Sequence, residues 1–324
     1  MHLSETKVPD VIREVKHAVI GKDETVEKMM AAILVKGHVL IEDIPGVGKT
    51  TMALAFAKAM QLQQKRMQFT PDVLPSDVTG YNLYDPRTGT SVYQKGPIMT
   101  EFFLADEINR TSPKTQSALL EVMEERSVTI EGRTMPVPEP FLVVATQNPF
   151  GSFGTQPLPD SQMDRFMISL RMGYPTREDE RTILKRRNHA GMTDGVHPAM
   201  DKQELLQIQA EMPEIYIEDS VYGYLQDLVE KTRNHPLIQI GVSPRGALAL
   251  ARMAQGVAFL RNRDYVLPED VRTIFTDVAR HRLVLLDTKA RLAQKSAEAI
   301  CEEVLGSVHQ PQPWSEKYSH KEKS

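Results

Sequence analysis

Residues 43–50 read Asp-Ile-Pro-Gly-Val-Gly-Lys-Thr. They follow the short apolar run His38-Val39-Leu40-Ile41 and open a helix-forming stretch, Thr51-Met52-Ala53-Leu54-Ala55-Phe56-Ala57-Lys58-Ala59. Strand, glycine-bearing turn, Lys-Thr and helix, in that order, is the context a phosphate-binding loop requires. The glycines let backbone N–H groups curl around an anion, and the following helix turns its positive end toward the same point. Pro45, Gly46, Val47, Gly48, Lys49, Thr50 and Thr51 are therefore candidate nucleotide-binding residues, with Lys49 reaching the β- and γ-phosphates and the Thr50 hydroxyl ligating Mg²⁺. Asp43 stands where the pattern has its first glycine. Aspartate tolerates left-handed backbone, so the loop can form, but an anion beside phosphate calls for an explanation.

Sixty residues on, Phe102-Phe-Leu-Ala-Asp-Glu107 is an apolar run ending in two carboxylates. A buried parallel strand delivers charge at its C-terminal edge in this way. Asp106 is a candidate Mg²⁺ holder through the metal's water shell, and Glu107 a candidate base that polarises the water attacking the γ-phosphorus.

Composition sets the outer bounds. The 324 residues suggest two domains, and 41% hydrophobic with 25% charged content is ordinary for a globular chain. The net charge of −4 carries no broad basic excess, so no nucleic-acid partner is expected. The single cysteine, Cys301, excludes an intrachain disulfide and fits a reducing cytoplasm. The N-terminus lacks the apolar core of a signal peptide, and no run approaches the length of a transmembrane segment. The histidines fit no zinc spacing, which leaves His38 and His281 as packing or surface residues.

Along the chain, helices are expected over 8–17 and 23–35, with a break at Gly21. Strands near 38–42, 66–69, 100–105, 141–146 and 167–170 then alternate with helices near 49–61, 74–78 and 112–125. Such alternation predicts an α/β fold, a parallel sheet flanked by helices. Two segments interrupt it: a turn-rich insertion at 79–97 and a predicted β-hairpin at 127–137 around Glu131-Gly132. Both fit plain surface loops or projecting arms. After Pro175 the pattern becomes helical, over 177–189, 201–211, 218–233, 244–261, 268–281 and 288–305. This divides the chain into a core at 1–174, a helical domain at 175–306 and a polar tail at 307–324 that includes Trp314.

Taken together, Asp43–Thr50, Asp106-Glu-Ile-Asn-Arg110, Ser112–Glu121, Ala145-Thr-Gln-Asn-Pro149, Leu158–Phe166 and Ser243-Pro-Arg245 resemble the MoxR-type AAA+ ATPases. The likeness runs from about Val8 to Leu286. It implies a P-loop AAA+ core followed by an all-helical lid, with ATP and Mg²⁺ as cofactors. It assigns Asn148 to the sensor-1 position, Arg245 to sensor 2 and Arg165 to the arginine finger offered to a neighbouring subunit. Arg110 is a second candidate for a contact between subunits. Val19, Ile20 and Gly21 match the segment that packs on adenine. The 79–97 and 127–137 segments match the helix-2 insert and the pre-sensor-1 hairpin, which makes Tyr81, Tyr84 and Tyr93 candidate client contacts; local packing explains them equally well.

The implied function is ATP hydrolysis in a homo-oligomeric ring, a hexamer, coupled to chaperone-like remodelling or maturation of partner complexes. The implied partner is a separate protein with a von Willebrand factor A domain. The alternatives are a nucleotide-gated assembly scaffold and a chelatase-type motor subunit. Intact Glu107 argues against a pure scaffold, and no metal-site signature supports the second. A DNA remodeller would want a basic hairpin, whereas 127–137 sets only Arg133 against Glu131.

Overall fold

A computed structural model describes residues 6–148, 156–186, 193–286 and 294–311. These form two compact units, divided between Met212 and Pro213. The first contains α1 (Val8–Ala18), α2 (Asp23–Leu34), β1 (Val39–Glu42), α3 (Lys49–Ala59), β2 (Gln64–Gln68), α4 (Pro75–Thr79), β3 (Gly80–Asp85), β4 (Thr90–Lys95) and β5 (Phe102–Asp106). It continues through α5 (Pro113–Glu125), β6 (Ser127–Ile130), β7 (Arg133–Pro136), β8 (Leu142–Gln147), α6 (Asp160–Met163), β9 (Ile168–Leu170), α7 (Arg177–Arg186) and α8 (Lys202–Glu211).

Five strands form one parallel sheet in the order β2-β5-β8-β1-β9. Every residue of β5 and β8 is buried, which explains why both read as unbroken apolar runs rather than alternating ones. Successive side chains serve opposite faces. Leu40, Phe103, Ala105, Val143 and Ala145 share one core with Leu119, Leu120 and Met123 of α5 and with Phe141 and Phe166. The edge strand β2 is mostly exposed and correspondingly polar. Helix α5 starts where Ser112 accepts the Thr115 N–H and Pro113 presets the first turn.

Both interrupting segments are antiparallel hairpins: β3 pairs with β4 from Gly80–Lys95 to Asp85–Thr90, and β6 with β7 around Glu131-Gly132, both at positive φ. The expected boundary at Pro175 moves to 212/213 because residues beyond Pro175 are tied to the first unit. Ala199 and Met200 donate to the Ala59 carbonyl at 2.8 and 3.0 Å, Lys202 pairs with Glu101 at 2.7 Å, and Gln209 donates to the Ile33 carbonyl at 2.7 Å.

The second unit holds α9 (Asp219–Arg233), β10 (Ile238–Ile240), α10 (Pro244–Leu260), α11 (Pro268–Ala279), β11 (Val284–Leu285) and α12 (Ala297–Ser307). Among the described residues it is mostly helical, with an antiparallel pair β10–β11 that the helical reading passed over because each strand is too short to show a period. Asp270, fully buried, accepts from Arg261 at 2.7 Å and from Arg263 at 2.6 and 2.7 Å, pinning the start of α11 to the end of α10. The expected tail from 312 onward, with Trp314, lies outside the described residues, as do the ends of the helices expected at 177–189 and 288–305. Among the described residues no helix is long and apolar enough to cross a membrane.

His38, at the entry to β1, is a packing residue. Its Nδ1 accepts the Val143 N–H at 3.1 Å, its Nε2 lies 3.1 Å from the Met123 carbonyl, and its ring meets Phe141 edge-on at 5.5 Å. Those partners fix the neutral tautomer protonated on Nε2. Burial lowers its pKa from 6.5 to about 4. Between those values the unfolded chain binds the proton and the folded chain does not, so stability from this site is present above pH 6.5 and is lost as pH falls toward 4. Denaturant unfolding at pH 7 and pH 5 tests this: wild type should lose about 2 kcal/mol more than His38→Gln over that interval, and equal losses contradict the assignment.

Candidate functional site

The loop between β1 and α3 carries its positive-φ residues at Gly46 (φ 86°) and Gly48 (φ 95°), the latter capping α3. Both conformations favour glycine. Lys49, the first residue of α3, is buried. Its ammonium donates to the carbonyls of Asp43 at 2.5 Å and Gln147 at 3.2 Å. Burial pulls its pKa down, against the raising influence of Asp43, Asp106 and Glu107. Its hydrogen-bond partners are neutral carbonyls, which leaves the ammonium able to meet an incoming anion.

Asp43 does not adopt the left-handed backbone its sequence position suggested. Its carboxylate also faces away from a phosphate role. Oδ1 accepts the Ile44 N–H at 2.8 Å, and Oδ2 accepts the N–H groups of Met172 at 2.7 Å and Gly173 at 2.6 Å. The buried carboxylate thus accepts from three amides and ties the loop to the chain leaving β9.

At the end of β5 the two carboxylates part company. Asp106 Oδ1 accepts from the Thr146 hydroxyl at 2.6 Å, and Thr50 Oγ1 lies 3.4 Å from Oδ2. Thr50 and Asp106 therefore present hard oxygen ligands side by side, the donor chemistry Mg²⁺ takes. Among the described residues no cluster of three or more His, Cys, Asp or Glu could hold a metal by itself. Glu107 sits at φ 56°, ψ 49°, a left-handed residue that turns the chain off the sheet. Its N–H donates to Thr146 Oγ1 at 2.9 Å, and its Oε2 accepts from Gln68 at 2.9 Å and Arg110 at 2.7 Å.

Lys49, Thr50, Asp106 and Glu107 thus converge at the C-terminal edges of β1 and β5. Asn148 follows β8 directly after Gln147, its carbonyl accepting from Asn109 at 3.0 Å; Pro149 of the same motif lies outside the described residues. Gly21 (φ 71°) faces α7 closely enough that a β-carbon there would stand 2.1 Å from Asp179, so the Val19–Gly21 turn packs on that helix.

Arg165 is placed apart from this cluster. It pairs with Glu124 of α5 at 3.0 Å, not with neighbouring Asp164 or Asp160, and lines a polar groove of about 580 Å³ with Glu121, Thr129 and Gln162. Arg110 pairs with Glu107 at 2.7 Å. Arg245 is exposed in the first turn of α10, which Ser243 caps by accepting the Gly246 N–H at 3.0 Å. Tyr93 is half-buried with its hydroxyl on the Thr79 carbonyl, which is local packing. Tyr81 and Tyr84 are exposed, together with Leu83 and Val92 on the same hairpin.

Arg66, Gln68 and Thr146, which touch the two carboxylates, were not singled out in the sequence. The available signal was their place at the C-terminal ends of strands adjoining β5. Asp43→Ala leaves the buried Met172 N–H and the less buried Ile44 and Gly173 N–H groups without this acceptor, so urea unfolding should show a loss of roughly 1–3 kcal/mol; a change under about 0.5 kcal/mol would mean the tie is not made.

Residues 38–168 match the model of the ATPase family associated with various cellular activities (AAA), and residues 230–304 match the AAA lid domain. The chain is 46% identical to the uncharacterized protein YeaC of Bacillus subtilis, over 93% of each chain. It is 42% identical to the chaperone MoxR1 of Mycobacterium tuberculosis, over 93% of this chain and 81% of that one. A solved structure of a candidate ATPase from Cytophaga hutchinsonii superposes with a TM-score of 0.86 at 38% identity, covering 94% and 95% of the two chains. With both family models matched in chain order and a MoxR chaperone 42% identical over most of both chains, the chain belongs to the MoxR family of AAA+ ATPases.

Proposed function

We propose that this chain hydrolyses ATP at a site completed only when protomers assemble, and that a ring of them uses the cycle to remodel partner protein complexes. The observation that carries the proposal is the separation of its parts. Lys49, Thr50, Asp106 and Glu107 lie together, while Arg165 is held on Glu124 outside that cluster. Lys49 and the loop amides would neutralise the phosphates. Thr50 and Asp106 would hold Mg²⁺, which would supply positive charge to neutralise the phosphates. Glu107 would orient and deprotonate the attacking water once Gln68 and Arg110 release its Oε2. Arg165 from a neighbour would leave Glu124 and stabilise charge on the transferring phosphoryl group. The sensor roles of Asn148 and Arg245, adenine contact at Val19–Gly21, the hexameric count and a von Willebrand factor A-domain partner rest on the sequence resemblance. The exposed Tyr81, Leu83, Tyr84 and Val92 offer a surface for a client protein.

Steady-state ATPase assays over a range of protein concentrations test the shared site. Specific activity should rise with concentration. Arg165→Ala and Glu107→Gln should each lower kcat by about 100-fold or more, and mixing the two variants should restore part of the activity, because a mixed boundary contains one complete site. Turnover independent of concentration, with Arg165→Ala as active as wild type, contradicts the proposal.

A further inference from the structure

The two oxygens of Asp106 stand in different settings. Oδ1 is engaged by Thr146 Oγ1 at 2.6 Å. Oδ2 is the oxygen turned toward Thr50, and Arg66 converges on this same atom, donating from Nη2 at 2.7 Å and from Nε at 3.2 Å. The Asp106 side chain is 10% exposed and that of Arg66 48%. The guanidinium thus reaches inward from solvent to cover the one carboxylate oxygen that faces the second metal-ligand candidate. An aspartate oxygen has two lone pairs, and here they are already shared among three donors. A divalent cation, or a water of its shell, needs those same lone pairs, and a fixed positive charge beside it opposes its arrival. Arg66 also has somewhere to go: β2 is the edge strand of the sheet, with no strand beyond it among the described residues.

Resting on the nucleotide site proposed above, we infer that Arg66 is a resident cation that competes with Mg²⁺ for Asp106. It holds the carboxylate in place without metal, withdraws toward solvent when the metal–nucleotide enters, and so sets the metal affinity weaker than Thr50 and Asp106 alone would give. Arg66 acts through Asp106 and is a positioning residue, not a catalytic one.

The test is titration of the full-length protein, saturated with ADP, with Mn²⁺ followed by electron paramagnetic resonance. Arg66→Met should bind Mn²⁺ roughly three- to tenfold more tightly than wild type, and Arg66→Gln, which keeps a donor but no charge, should fall between them. ADP affinity measured in EDTA should be the same for all three proteins, which a general disturbance of the loop would not allow. Mn²⁺ affinity unchanged or weaker in both variants, with ADP binding retained, overturns the inference and leaves the nucleotide site standing. Failure of the ADP-loaded wild type to bind Mn²⁺ overturns the nucleotide site and this inference together.

Discussion

The interaction on which the rest depends is the buried ammonium of Lys49 held between two backbone carbonyls. One belongs to Asp43, at the start of its own loop; the other belongs to Gln147, at the end of β8. That arrangement exists only because β1 and β8 are parallel neighbours, paired from Val39–Val144 to Glu42–Gln147. The sheet thus does more than support the loop. It delivers a carbonyl from a strand about a hundred residues away to fix where the positive charge points. Glu42 reinforces the same edge, taking the Gln147 amide and the Ser169 hydroxyl. Asp43 closes it by binding the amides after β9. Cation, loop and sheet edge are one assembly, and a polar residue in it is better understood by which strand end it secures than by its distance from a phosphate.

A second consequence of strand order concerns the paired carboxylates. β5 lies between β2 and β8, so its final residues meet polar groups from both sides: Thr146 from β8, Arg66 and Gln68 from β2. The left-handed turn at Glu107 sends the second carboxylate away from the first, at a local backbone cost of about 1–2 kcal/mol. Two adjacent acids therefore take up separate tasks: one faces Thr50, the other is held by Gln68 and Arg110. Strain at such a point is common where function demands a direction the strand would not give.

Much of this was legible in the sequence because it is local. Strand, glycines, Lys-Thr and helix lie within about twenty residues, and buried parallel strands announce themselves as apolar runs. The hairpin around Glu131-Gly132 followed from turn chemistry in the same way. What escaped were relations between distant residues. The anion at Asp43 finds its partners at Met172 and Gly173. Arg165 passes over the acids beside it for Glu124 on α5. Pro175 does interrupt a pattern, yet the following helices are bound to the first unit by Ala59, Glu101 and Ile33, contacts that no composition shift reveals. The β10–β11 pair was missed for a related reason: a ladder joining residues 238–240 to 284–285 has too few residues per strand to leave a period. Tyr93 shows that exposure cannot be read from residue type, since its neighbours Tyr81 and Tyr84 on the same hairpin are open to solvent.

The central claim is that the Lys49 ammonium is the receptor for a nucleotide's phosphates. Lys49→Met keeps an unbranched side chain of similar length while removing the charge and its two hydrogen bonds. Calorimetric titration with ADP compares the two most directly. The wild-type chain should bind ADP at one site per protomer, and the Lys49→Met chain, equally folded by circular dichroism, should bind it at least about a hundredfold more weakly. Equal affinity in the two proteins, or no uptake by the wild type, would contradict the account.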